Sequence, residues 1–410
     1  MRGQFGSSTA KMKILIYSHS FAPVVGGAET YAMLLAQGLA SNSEADGIEV
    51  TVVTETPAND FGDLSLPFRT VRQPSFLSLV QLIHRASIVQ IAGPCFLPML
   101  VAWLLRTPFV IEQHGYQAIC PNGLLFFEPT KSACPGHFMA GRHAKCWECN
   151  RGVGRLRSLK MWLLTFPRRW LCNRATANVA ITHHVEERLQ LRNSLVIYYG
   201  VPNATRSESP ACKPERSSLP CFAYLGRLVS EKGLEVLIDA AGLLRQEGLN
   251  FRLKFIGDGP ERKRLEGRAQ ARSLDKHVIF TGFVTGEALR CAVDDVAVVV
   301  MPSRWEETAG FAAIEQMMRG RLVVCSDVGG LGEVVDGAGL KCAAENVPAL
   351  AGLLRQVMEN PHIVEEFGKK AHERAERLFA VDRMIREHVE LYCGVVGRKL
   401  AGRQAAPEFH

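Results

Sequence analysis

A chain of 410 residues, 47% hydrophobic and 22% charged, has the composition of an ordinary folded globular protein, and on the usual size prior it makes about two domains. Apolar stretches such as residues 96–105 fall short of the roughly 20 residues that span a bilayer. The opening residues lack a signal peptide's apolar run, because residues 14–17 read as a strand, so a cytoplasmic protein is expected.

The net charge of +7 is unevenly placed: nine basic residues and one acid, Glu148, lie between Arg142 and Arg174. Within that segment, residues 151–172 interleave the cations with Leu156, Trp162, Leu163, Leu164, Phe166 and Trp170. Two readings fit: a helix lying on an anionic membrane face, or a surface helix that buries its aromatics in the core. Nothing in the chain points to nucleic acid.

In chain order, residues 13–17 predict a strand, residues 28–40 a helix, and residues 48–54 a second strand. Gly26 and Gly27 stand at the intervening turn, where backbone can approach a phosphate. They lack the G-x-G-x-x-G spacing of a dinucleotide site, and simple turn chemistry also explains a glycine pair. Strands over 88–92 and 109–112 bracket a helix over 95–105. His114 and Gly115 follow the second strand, at the edge where parallel sheets bind ligands. A lone histidine is more often structural, yet this placement makes it a candidate.

Residues 120–149 form a long insertion with little periodicity, holding Cys120, Cys134, Cys146 and Cys149. Four thiolates ending in a C-x-x-C pair could close a structural zinc tetrahedron, with His137 and His143 as alternative ligands. A redox pair or plain loop cysteines also fit. The other eight cysteines are scattered and read as small buried hydrophobes.

Strands over 178–182 and 196–199 close the first half, and the Pro- and Ser-bearing residues 206–219 read as a linker. The alternation then restarts, with strands over 221–225, 251–256, 278–282 and 296–301. Helices separate them over 233–245 and 261–272. This is an α/β chain of two doubly wound, Rossmann-like domains facing a cleft. The domains are expected over 1–205 and 220–380, with a helix over 381–400 packing back across their junction.

Three motifs of the second half carry chemistry. The turn Gly226–Gly233 places Arg227 and Lys232 beside a helix amino terminus, a pyrophosphate site by simple electrostatics. Gly257 and Asp258 lie in a second tight turn, IGDGP, whose glycines could admit a base or ribose. Residues 302–335 hold Glu307 and Glu315, with a helix predicted to begin near Gly310. On one helix, eight residues at ~1.5 Å rise would separate these carboxylates by ~12 Å. Glycosidase pairs sit at roughly 5–10 Å, so the two glutamates suit opposite ends of one ligand better than an acid–base pair.

With these pieces in view, the chain resembles a retaining glycosyltransferase of the GT-B fold, in glycosyltransferase family 4. The resemblance rests on GGAET, His114-Gly115, GRLVSEKG, IGDGP, FTGFV and PSRWEETAGFAAIEQMMRG…SDVGGLGEVV, and it is strongest from Gly226 to Val335. It implies a nucleotide-sugar donor in the C-terminal domain and a glycan or lipid-linked acceptor on the N-terminal side. It further implies transfer with retention and without a catalytic cofactor or metal, in bacterial-type surface polysaccharide synthesis. Glu307 would hold donor sugar hydroxyls, Glu315 the ribose, and Arg227 and Lys232 the diphosphate. Gly310 and Phe311 would line the sugar pocket, His114 would contact the sugar, and Gly26 and Gly27 would approach the phosphates. A sugar-nucleotide epimerase or a non-catalytic binding protein of the same fold is the alternative. The cysteine-rich insert departs from the general family pattern.

Overall fold

Short apolar runs buried on both faces make the strands, and in the computed structural model they assemble into two parallel sheets flanked by helices. The structure describes residues 11–41, 47–59, 61–203 and 219–404. The N-terminal sheet begins with β1 (Met12–Ser18), β2 (Ile48–Thr54), β3 (Arg69–Arg72), β4 (Ile88–Ala92) and β5 (Phe109–Gln113). A two-stranded hairpin, β6 (Phe126–Phe127) and β7 (Ser132–Ala133), interrupts it. The sheet resumes with β8 (Ala177–Ala180) and β9 (Ser194–Val196). Its order is β3-β2-β1-β4-β5-β8-β9.

The C-terminal sheet contains β10 (Cys221–Leu225), β11 (Arg252–Ile256), β12 (Val278–Gly282), β13 (Val298–Met301), β14 (Leu322–Ser326) and β15 (Leu340–Cys342). Its order is β12-β11-β10-β13-β14-β15. The strand order reverses between β1 and β4 in one sheet and between β10 and β13 in the other. Loops leaving the carboxyl ends there diverge to opposite faces and open a crevice.

The last helix, Val381–Gln404, leaves the C-terminal domain and lies on the first helix, Gly27–Ser41, of the other. A Cβ on Gly38 would lie 1.9 Å from Ile385, so the absence of a side chain lets these helices approach. Ahead of it, Val201 and Phe379 share a backbone hydrogen bond of 2.8 Å. Of the linker expected over 206–219, all but Leu219 lies outside the described residues.

Some elements differ from the sequence reading. The strand expected over 196–199 runs earlier, as β9, because Val196 is its last residue to pair with β8. The strand expected over 296–301 begins at Val298, where it pairs with Phe222. The insertion over 120–149 holds the β6–β7 hairpin and a short helix, His143–Cys149.

Candidate active site

The crevice between β10 and β13 is built from two loops that touch. Gly233 ends the loop after β10 with φ +62, and a Cβ there would lie 2.2 Å from the Pro302 carbonyl oxygen. Glycine alone lets this loop lie against the one after β13. The approach sets Lys232 beside Glu307, with Nζ 2.9 Å from Oε2 and side chains only 14% and 4% exposed. The Lys232 ammonium also lies 5.2 Å from the ring centre of Trp305. Glu307 keeps a second carboxylate oxygen, Oε1, buried and without a hydrogen-bond partner among the described residues. Arg227 is exposed on the same loop, its guanidinium 3.9 Å from Glu231.

The Glu307 loop is held from behind by the glycines after β14. Gly330 donates its N–H to the Glu307 carbonyl at 2.6 Å, and a Cβ on Gly330 would lie 2.1 Å from the Thr308 carbonyl oxygen. Glu307 therefore belongs to the loop, and the helix Phe311–Met318 starts only after Gly310. The separation calculated for both glutamates on one helix does not apply. Glu315 sits on that helix, where burial pushes its carboxyl above the ordinary carboxylate range against a smaller opposing pull from Arg319.

From the N-terminal domain, His114 follows β5 into the cleft. Its Nδ1 is 2.7 Å from the Tyr199 hydroxyl, and the two rings stack with centres 5.7 Å apart. Tyr31 packs edge-on against His114 at 4.9 Å. The His114 Nε2 is buried with no hydrogen-bond partner among the described residues. Burial holds the ring below the ordinary imidazole range, outweighing the pull of Glu112 and Glu29, so His114 is neutral near pH 7. Tyr199 meets Phe311 edge-on at 5.6 Å. A Cβ on Gly27 would lie 3.6 Å from the Phe311 Cβ. Gly27, His114 and Phe311 are thus brought together across the domain boundary.

The loop after β13 also carries the cross-domain contacts, none of which local sequence pattern reveals. Tyr116 donates to the Glu306 carbonyl at 2.9 Å, and Trp305 Nε1 donates to the Leu124 carbonyl. Thr308 donates to the His114 carbonyl at 3.2 Å, and Thr182 donates to the Thr308 carbonyl at 2.7 Å. The Glu306 carboxylate lies 2.8 Å from Arg188 and 3.3 Å from His184. Burial opposes its ionisation, but His184 and Arg188 outweigh it and hold the carboxyl below its usual range. Glu333 accepts the backbone N–H groups of His183 and His184, both at 2.9 Å, and the Tyr198 hydroxyl at 2.7 Å. Alternate residues of one loop therefore serve the two domains: Glu307 meets Lys232, while Glu306 and Thr308 grip the other side.

The remaining expected positions have more local contacts. A Cβ on Gly257 would lie 2.0 Å from the Gly226 carbonyl oxygen, so this glycine lets the two turns abut. Asp258 accepts from the Gly259 N–H at 2.7 Å and pairs with Arg262 at 3.1 Å. Gly26 accepts the Thr30 N–H at 2.9 Å and opens the first helix.

Cys120, Cys134, Cys146 and Cys149 line one small cavity with His137, and all four are free thiols. Burial pushes the Cys120 thiol up to about 11, although backbone groups of Leu125, Gly123 and Asn122 hydrogen-bond to it and pull the other way. Burial likewise pushes Cys146 up to about 12. The donor chemistry suits zinc, but the spacing does not: among the described residues, no three His, Cys, Asp or Glu side chains stand together as a metal site.

Two doubly wound domains closing on a lysine–glutamate pair and a neutral histidine define the architecture of a GT-B glycosyltransferase. Residues 25–203 match the family described as Glycosyltransferase Family 4, and residues 206–374 match Glycosyl transferases group 1. These matches lie end to end over most of the chain, which belongs to this glycosyltransferase family. It is similar to alpha-D-kanosaminyltransferase of Streptomyces kanamyceticus, 33% identical over 154 residues, covering 37% of this chain and 40% of that protein. It is also similar to 2-deoxystreptamine glucosyltransferase of the same organism, 28% identical over 215 residues, covering 48% and 55%. The aligned regions thus span about half the length of these relatives or less. Among solved structures, the Anabaena protein HepE in complex with UDP and glucose superposes with a TM-score of 0.71 at 19% identity, covering 93% of this chain and all of that one.

Proposed function

We propose that the chain is a retaining, metal-independent glycosyltransferase that moves a sugar from a nucleoside diphosphate to a glycan or lipid-linked acceptor in surface polysaccharide synthesis. The observation that carries this reading is the buried Lys232–Glu307 pair at the switch point of the C-terminal sheet. That is the edge where a parallel sheet binds nucleotides. HepE, of the same fold, was solved with UDP and glucose.

In this reading, Lys232 and Arg227 stabilise the negative charge that grows on the departing diphosphate, a task fixed cations perform with little reorganisation. The bond from the anomeric carbon to the phosphate oxygen breaks. The acceptor hydroxyl oxygen bonds to that carbon, and its proton leaves with the nucleoside diphosphate. Glu307 holds sugar hydroxyls through Oε1, and Glu315 accepts from the ribose. Neutral His114, its Nδ1 engaged by Tyr199, presents Nε2 to the sugar from the opposite domain. Gly310 and Phe311 border the sugar, and Gly26 and Gly27 approach the phosphates.

The test is a panel of sugar nucleotides with an acceptor extract, measuring released nucleoside diphosphate and the anomeric configuration of the product. Release with one donor, retained configuration and no loss on chelation are expected. An altered sugar nucleotide formed without acceptor would make the chain an epimerase. Binding without turnover under every acceptor condition would make it a non-catalytic receptor.

A further inference from the structure

The basic segment is where the chain's positive charge concentrates. It forms the helix Arg155–Cys172, which buries Ser158, Thr165, Leu171 and Cys172 against the N-terminal domain. Met161, Trp162 and Leu164 are half-buried beside them, and Phe166 and Trp170 each meet a domain ring, Phe138 and Trp103, at 4.9 Å, but the outer apolar residues stay open to solvent. Leu156 is 85% and Leu163 51% exposed, and Leu159, Phe166 and Trp170 are exposed too. These five follow one another at intervals of three and four, so they form a single stripe along the helix. A helix that merely closed the core would turn this stripe inward.

The charges around it are dense, nine basic residues against one acid over residues 142–174. Arg151, Arg155, Arg157 and Lys160 are exposed, and none makes an ion pair among the described residues. An apolar stripe flanked by uncompensated cations matches a surface that offers hydrocarbon beneath a layer of negative charge.

We infer that this face docks the protein on an anionic lipid bilayer, with the helix lying in the interface. No helix among the described residues is long and apolar enough to cross a membrane, so the attachment is peripheral. The helix is tied to the cleft: Arg168 donates to the Gln117 carbonyl at 3.4 Å, three residues past His114. Docking there would hold the N-terminal side of the cleft at the bilayer surface. Resting on the proposed transferase activity, this selects the lipid-linked member of the acceptor class.

The test is co-sedimentation of the full chain with phosphatidylcholine vesicles, with and without phosphatidylglycerol. Binding is expected only with the anionic lipid, and it should weaken steeply as salt rises. Each cation near such a surface contributes about fivefold in affinity, so Arg155→Glu/Arg157→Glu/Lys160→Glu should lose about two orders of magnitude or more. Leu156→Ser/Leu163→Ser, at solvent-facing positions, should weaken binding while leaving thermal stability and donor binding unchanged. No binding to anionic vesicles, or binding unaffected by both variants, overturns the inference. So does dimerisation abolished by the serine variant without vesicle binding, since the face would then serve a second copy. Failure of every donor sinks the transferase reading but leaves the vesicle result standing.

Discussion

Lys232 and Glu307 allow the structural and functional weights of the site to be separated. Their side chains are 14% and 4% exposed with charged atoms 2.9 Å apart. Lys232→Met keeps most of the volume but leaves the Glu307 carboxylate buried without its cation. Breaking such a pair costs about 3–5 kcal/mol, whereas replacing both partners by neutral groups is close to neutral. For a unit of roughly 150–250 residues, each kcal/mol moves Tm by about 2–4 °C. Lys232→Met should therefore lower the C-terminal domain's transition by about 6–20 °C, followed by calorimetry without donor. Lys232→Met/Glu307→Gln should recover most of that shift. Donor turnover should be lost in both, because neither restores a cation at the diphosphate or a carboxylate at the sugar. Lys232→Met with an unchanged transition would refute the burial argument. A double variant that turns over normally would refute the assigned roles.

The other predictions follow from single contacts. Because burial raises the Glu315 carboxyl, its stabilising protonated form is present below the unfolded pKa, and that contribution is lost as pH rises through the raised value. Glu315→Gln should therefore raise Tm at pH 7 while weakening nucleotide binding, and an unchanged Tm with normal binding would refute both assignments. His114 has the opposite sign: its pKa is lowered, so its contribution is full above the unfolded value near 6.5 and is lost as pH falls through the folded one. Tyr199→Phe removes the Nδ1 partner and should lower kcat at least tenfold with little change in donor affinity, measured by initial rates. Gly330→Ala forces a methyl group against the Thr308 carbonyl, where the ideal separation is 2.1 Å, and should cost about 1–3 kcal/mol by chemical denaturation. For the cysteine loop, metal analysis should find no stoichiometric zinc, because no three of its donor side chains stand together as a metal site among the described residues; one equivalent that is lost in Cys146→Ser/Cys149→Ser would refute this.

What the sequence discloses and what it withholds divide along a physical line. Strands such as β10 and β13 are legible because each is a run of residues buried on both faces, flanked by turn-forming residues. β3, with the sequence RTVR, offers one apolar side chain and no alternation, so only its pairing with β2 makes it a strand. β15 spans three residues and depends in the same way on β14. In the site, Lys232 and Glu307 stand out as charged residues at strand ends, and His114 by its place after β5. Tyr199, which fixes the His114 ring, is 85 residues away and carries no local signal. Neither does Glu306, distinguished from its neighbour Glu307 only by the domain it faces. The adjacency of these two carboxylates is itself informative. In an extended loop, neighbouring side chains diverge, so one reaches Lys232 while the other reaches Arg188 across the cleft. Opening the domains would break the Arg188–Glu306 contact and leave the Lys232–Glu307 pair whole, because both members of that pair belong to one domain. Closure is thus coupled to the Lys232–Glu307 pair through the backbone of a single loop, a link visible only once both domains are in place.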